Sequence, residues 1–271
     1  MGVTALRSSA PKGAQTVLRA LEILEAFDDR SATLSLSNVA RKVHLTVPTT
    51  HRLLRALASR DFVVFDEDAR RFAIGPAIVR LAASALRRDD LIPVAVPALE
   101  RLVELTGESV GVHYRTGMRR VCLFELDSPQ PIRMTSGIGH AYPLYAGAPG
   151  KAMLAWSSDK TVVEATASLR RITPRTPRDA NKLRAELVQI RKVGYAMSIG
   201  ETVTGAAALA APILDHNGEA LAAINISGPS SRWTREKMLR VAPALLRETR
   251  LVTRRLGHDD SSIRANGTRP R

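Results

Sequence analysis

Residues 35–75 read SLSNVARKVHLTVPTTHRLLRALASRDFVVFDEDARRFAIG, and their pattern gives two short helices, a tight turn and a β-hairpin. Ser37 is placed to cap a first helix carrying Val39, Ala40 and Val43. Thr46 can cap a second, with Pro48 tolerated in its first turn. On that second helix Thr50, Leu53, Leu54 and Leu57 fall at i, i+3, i+4, i+7 spacing and make a stripe to bury. The opposite side then carries Pro48, Arg52, Arg55 and Ser59, flanked by Thr49 and His51. A helix with an apolar back and an arginine-bearing front, braced by a preceding helix, suits a DNA major groove. Phe62 to Phe65, the acidic turn Asp66-Glu67-Asp68 and Arg70 to Ile74 complete a wing whose Arg70 and Arg71 could lie along a phosphate backbone.

Working outward, Thr16 to Phe27 has Val17, Leu18, Leu21 and Leu24 on one face and would pack behind the two helices. Residues 1–13 are a polar arm, and Gly75-Pro76 punctuates the end of the winged unit. Residues 77–91 read as a linker helix, followed by a helix containing Pro93 and Pro97 and closing at Thr106-Gly107. The periodicity then changes. Val110–Tyr114 and Arg120–Leu126 alternate about Thr116-Gly117 as a hairpin, and Ile132–Ser136 reads as a third strand. Helices are expected from Ala148 to Trp156, Lys160 to Leu169 and Ala180 to Val193. Strands follow at 195–199, 207–214 and 221–227, the last two joined by Asp215-His216-Asn217-Gly218, a strong hairpin signal. Thr234 to Leu256 is a closing helix, and the polar end (257–271) reads as disordered. The architecture is α+β: a winged helix-turn-helix domain over 14–76, the linker helix, and a domain over 92–256 built on an antiparallel sheet.

Composition agrees without deciding. A chain of 271 residues with 45% hydrophobic content can bury two cores. The formal charge of +14 favours a polyanionic partner. Residues 1–90 hold 14 Lys/Arg against 10 Asp/Glu, so most of the excess lies outside the winged domain. No apolar run approaches the roughly 20 residues of a membrane span, and a signal-peptide core is missing, so the cytoplasm is the expected compartment. The single cysteine, Cys122, sits in an apolar run and reads as a buried structural thiol.

Several longer segments, in order, carry a resemblance: VLRALEILEAF at 17–27, THRLLRAL at 50–57, ERLVELTGESV at 100–110, PLYAGAPGKAMLAW at 143–156, IRKVGYAMS at 190–198 and AAPILDHNGEALAAINISGP at 210–229. Together they resemble the isocitrate-lyase-regulator (IclR) family of transcriptional regulators over about residues 14–256. The resemblance implies a winged helix-turn-helix on a GAF-like effector-binding domain, homodimers or dimers of dimers on a double-stranded operator, and a small acid as effector. Two departures stand out. His44 occupies a turn position that is often glycine, tolerable because histidine is enriched at positive φ. Thr46, Val47 and Pro48 replace the family's usual Pro, basic residue and Ser, so a cationic contact is lost and Val47 can touch only a thymine methyl.

The residues of the second domain converge on a ligand site. The helix starting at Ala148, Pro149 and Gly150 offers free backbone amides to an anion. Ala223, Asn225 and Ser227 share one strand face, with Ala222, Ile224 and Ile226 on the other. Small residues such as Ala208 leave room above the sheet. By resemblance the pocket falls on Ala148, Pro149, Ser198, Ala208, Asn225 and Ser227. Ser198 and Ala208 stand where some relatives have acidic or thiol side chains, which points to space for a larger acid, aromatic ones included.

Catalytic motifs fail. In GAPGK the preceding glycine, Gly147, is too close to Lys151 for a phosphate loop, and Ala152 replaces the required hydroxyl residue. No G-x-S-x-G elbow exists, and the six histidines offer no i, i+4 metal pair. No cofactor or metal is expected. Arg170, Arg171, Arg175 and Arg178 read as a solvated face, Trp156 and Trp233 as core or interface. The alternative from another class is a small-molecule sensor or enzyme whose winged domain mediates protein contacts.

Overall fold

The computed structural model describes residues 14–27, 31–86 and 91–257. The arm expected over 1–13 and the tail from His258 lie outside the described residues, as does the end of the linker segment after Leu86. The chain divides into two compact units, Met1–Arg88 and Asp89–Arg271.

In the first unit α1 (Gln15–Glu25) precedes a short strand β1 (Thr33–Leu34), then α2 (Leu36–Lys42) and α3 (Val47–Ala58). The cap of α2 is Ser35, not Ser37: Ser35 is extended and its hydroxyl accepts from the Asn38 amide, at 3.3 Å. Ser37 already lies inside the first turn, where a side chain can no longer replace a missing backbone partner. Thr46 caps α3, accepting from the Thr49 amide at 3.4 Å, with Pro48 in the first turn. Between the two helices His44 takes φ 53°. The Leu45 amide reaches back to Ala40 O and the His44 amide to Arg41 O, which satisfies the last carbonyls of α2.

The wing is β2 (Val63–Asp66) and β3 (Arg71–Ile74), antiparallel, with β1 on the far side of β3. Phe65 and Phe72 stand opposite each other with ring centroids 4.7 Å apart. Ile23, Leu34, Val39, Leu53, Leu54, Val63 and Phe72 form one core, so the apolar stripe of α3 is buried as its spacing requires. Helix α4 (Pro76–Leu86) follows.

The second unit runs α5 (Leu91–Thr106), β4 (Ser109–Thr116), β5 (Arg119–Leu126), β6 (Ala141–Pro143), α6 (Ala148–Leu154), α7 (Asp159–Thr166), α8 (Ala180–Val193), β7 (Ala196–Ile199), β8 (Ala206–Leu214), β9 (Ala220–Pro229) and α9 (Arg235–Arg255). The strands form one antiparallel sheet in the order β6-β5-β4-β9-β8-β7. One face, with Val110, Leu209, Ile224 and Ile226, packs on Leu99 and Leu102 of α5 and on Met238, Leu245 and Val252 of α9. The other, with Ala210 and Ala223, packs on Met153 and Leu154 of α6 and on Leu183, Leu187 and Ile190 of α8. Trp233 belongs to the first core and Trp156 to the second.

One expected strand is wrong. Residues 132–136 form no ladder; the third strand of that edge is β6, pairing Ala141 with Val121. The Glu125 carboxylate instead accepts the Ser136 amide at 2.8 and 2.9 Å and the Gly137 amide at 3.3 Å. A side chain thus takes the backbone donors that a strand would have offered its neighbour. Among the described residues no helix is long and apolar enough to cross a membrane, and no cluster of three metal-ligating side chains occurs.

Candidate nucleic-acid interface and ligand cavity

On the first unit, α3 shows solvent the face that its apolar stripe leaves over. Thr46, Val47, Pro48, His51, Arg52 and Arg55 are exposed, and Thr49 is half-buried. His51, Arg52 and Arg55 have no side-chain partner among the described residues, so their donors are available to a ligand. Thr46 and Thr49 are more constrained: the Thr46 hydroxyl donates to Thr49 Oγ1 at 2.9 Å, which leaves Val47 and Pro48 to form the apolar tip of the helix. Arg41 of α2 donates to Asn38 Oδ1 within its own helix.

The two wing arginines differ. Arg70 is exposed at φ 50° with no partner among the described residues. Arg71 donates through Nε to Thr33 Oγ1 at 2.9 Å and through Nη2 to Thr33 O at 3.0 Å, tying β1 to the wing. Part of Arg71 is therefore structural. The hairpin tip that precedes them, Asp66, Glu67 and Asp68, is exposed and acidic. Those carboxylates oppose a phosphate, so attraction from the wing depends on Arg70 and the uncommitted Nη1 of Arg71.

On the second unit a cavity of about 60 Å³ opens beside β8 and β9. One water needs about 10–15 Å³ on this measure, so it suits a small organic molecule. Ala148, Pro149, Ser198, Ala208, Asn225 and Ser227 all line it. Gly150 does not. It faces Leu144, where an added Cβ would lie 2.5 Å from the carbonyl oxygen, so glycine is required there by packing rather than by a ligand. The amides expected to receive an anion are also partly taken. Gly147 N–H donates to Glu201 Oε2 at 2.8 Å and Ala148 N–H to Ser198 Oγ at 3.0 Å. Ser198 thus reaches the site as a cap for α6 as much as a wall of the cavity.

Glu201 is held in turn by Lys151, whose Nζ lies 2.5 Å from it and 2.6 Å from Glu186. Burial raises the Glu201 pKa and the charge of Lys151 works against that rise. The lysine of GAPGK therefore serves an internal ion pair, consistent with its failure as a phosphate loop.

Residues that pattern reading missed also reach the cavity: Arg120, Met134, Thr135, Ser136, Tyr142, Glu201 and Thr202. Arg120 is the most informative. Its residue is 3% exposed, and among the described residues it faces no carboxylate within ion-pair distance. Its guanidinium stacks over the Tyr142 ring, 4.8 Å from the centroid. Nη1 donates to His113 Nδ1 at 2.8 Å. A guanidinium cannot accept, so His113 Nδ1 must be the acceptor and the ring carries its proton on Nε2. Burial, then the charge of Arg120, hold the His113 pKa well below its usual value, with the Asn225 amide pulling the other way. Burial pushes Arg120 down to about 10. Arg120 Nε, His113 Nε2 and Asn225 Oδ1 are buried without a hydrogen-bond partner. The signal for Arg120 was present in the sequence: it keeps phase with Cys122 on the buried face of β5, where an arginine is out of place. Cys122 is itself a buried thiol, pushed up to about 12 by burial.

The geometry agrees with the comparisons. A family model described as "Bacterial transcriptional regulator IclR C-terminal" matches residues 83–254, and one for the IclR helix-turn-helix domain matches residues 16–67. The HTH-type transcriptional repressor AllR of Escherichia coli is 34% identical over 232 residues, 85% of this chain and 86% of that protein. The crystal structure of Thermotoga maritima IclR, 30% identical, superposes with a TM-score of 0.73 over 90% of this chain and 99% of its own. An IclR homolog from Microbacterium hydrocarbonoxydans, solved with 4-hydroxybenzoate, shares the fold at 22% identity, with a TM-score of 0.78 over 89% of this chain and 99% of that one. The chain belongs to the IclR family of bacterial transcriptional regulators. It is a DNA-binding regulator with a separate effector-binding domain, and, like its relatives, not an enzyme.

Proposed function

We propose that the protein binds its operator as a homodimer or dimer of dimers, and that a small organic acid in the cavity of the second domain sets operator affinity. The observation that carries the ligand half is convergence: α6, β7, β8 and β9 each contribute to one cavity a residue named above from sequence, in Ala148, Ser198, Ala208 and Asn225. For the DNA half it is the exposed, unpaired front of α3, with Arg52 and Arg55 aimed outward and Leu53 and Leu54 buried behind them. A single short helix reads few base pairs, and twofold pairing over half-sites about 34–36 Å apart supplies the remaining specificity. Relatives named as repressors favour repression. The fold neighbour's 4-hydroxybenzoate makes aromatic acids worth including among test ligands.

The effector claim is tested by Ser227→Ala. Titration calorimetry with the acid that stabilises the wild type most should show weaker binding, while operator affinity of the acid-free protein is retained. Undiminished acid binding would remove the cavity from the mechanism. Loss of both functions together would mean a folding defect, which circular dichroism reads directly. The acid acts by binding one arrangement of the regulator better than another, since a ligand of equal affinity for both shifts nothing.

A further inference from the structure

We infer that Arg120 is the anchor for the effector's carboxylate, and that the resting protein keeps this guanidinium buried without a counter-ion so that a monoanion completes the site. The inference rests on the cavity being the effector site. Arg120 has five N–H donors, and among the described residues one hydrogen bond, to His113. Its Nε is buried and unpartnered while the residue lines the cavity. The acid whose charge Arg120 feels, Glu201, is occupied by Lys151 and the Gly147 amide. Guanidinium and carboxylate match as two parallel N–H···O bonds, the strongest hydrogen-bonded pairing open to the side chain. Placing a charge out of water is tolerated when a partner arrives with it, and costs most when none does.

His113 fixes the geometry. Held neutral by burial and by the adjacent cation, it accepts from Nη1 through Nδ1 and presents its Nε2 proton toward the Asn225 side of the sheet. Asn225 Oδ1 is the unpartnered acceptor on that side. An amide turned so that its oxygen meets His113 offers its NH2 group to the cavity. The site is thus a pair of donors (Arg120 and Asn225), the Ser227 hydroxyl being given to Met134 O at 3.4 Å, and it selects a small monocarboxylate over its neutral amide.

The test compares acetate, benzoate and 4-hydroxybenzoate with acetamide, benzamide and 4-hydroxybenzamide at constant ionic strength, by thermal shift and calorimetry. The wild type should be stabilised by at least one acid and not by its amide. Arg120→Met should bind that acid about tenfold or more weakly, the loss of charged hydrogen bonds, and its acid-free form should melt no lower than the wild type because an uncompensated buried charge has gone. Arg120→Lys should keep the preference for acid over amide with reduced affinity. Ala208→Leu, which fills the cavity from β8 while Arg120 stands on β5 across β4 and β9, should abolish the response. Equal acid binding by Arg120→Met, or by Arg120→Lys if the methionine variant does not fold, overturns the anchor while loss in Ala208→Leu leaves the cavity standing. A lower melting point for acid-free, folded Arg120→Met makes Arg120 structural and overturns the proposal. A wild type that prefers no acid to its amide ends the cavity reading and the anchor together.

Discussion

Arg52 and Arg71 are both arginines on the DNA-facing unit, yet their surroundings assign them different work. Arg52 projects from the exposed front of α3 without a partner among the described residues, so its whole fork is available to a base edge. Arg71 already gives two donors to Thr33, and its removal should disturb the β1–β3 pairing as well as any phosphate contact. Arg52→Ala should therefore relax operator choice by about 1–3 kcal/mol, seen as a narrowed ratio of specific to mixed-sequence binding at fixed ionic strength. An unchanged ratio would remove Arg52 from the groove. The exposure of Arg52 was legible from helical spacing, because one face of α3 must be buried and the other is then exposed. Arg71's tie to Thr33 was not, since its partner lies 38 residues away. His44 shows the same limit from the other side: the resemblance implied the left-handed turn, since relatives often have glycine there, and the structure supplies the two backbone bonds that hold it.

At the scale of elements, the segment after β5 supplies part of the cavity wall. Ile132 to Ser136 has the apolar and polar content of a strand but is irregular chain, with Met134, Thr135 and Ser136 on the cavity and the Ser136 and Gly137 amides given to Glu125. Burial raises the Glu125 pKa, and the amides of Ser136 and Gly137 oppose the rise. The folded state thus holds this proton more tightly than the unfolded chain does. As pH rises through the ordinary carboxylate range the unfolded chain releases its proton first, so stability falls from there up to the raised value and then levels. Glu125→Gln should flatten that part of the melting temperature against pH, and an identical curve for the two proteins would assign the slope to another group. The start of α6 teaches a related lesson. A helix N-terminus with Gly and Pro looked open to an anion in one dimension, whereas in three Glu201 and Ser198 had already claimed the amides of Gly147 and Ala148.

For the whole molecule, charge and assembly matter more than any one contact. The net charge of +14 supplies a long-range, salt-dependent attraction to DNA, but the excess over residues 91–271 means it does not by itself mark the binding face. Half-site pairing requires at least two copies, so sedimentation at operator-binding concentrations should return a species of at least twice 29.4 kDa. A single-copy mass under those conditions would rule out twofold reading of the operator. The sequence alone determined that there is a winged helix-turn-helix, an α+β domain on an antiparallel sheet and a family, because hydrophobic period, caps and hairpin turns are local and repeat where burial demands them. Only the tertiary structure decided that Glu125 takes the amides at the end of an expected strand, that the single charge of Lys151 is shared between two carboxylates, and that Arg120 stands in the cavity wall with no acid within ion-pair distance among the described residues. Those outcomes depend on which distant side chains arrive at the same few ångströms, and the energy of a buried charge is set by those neighbours rather than by its place in the chain.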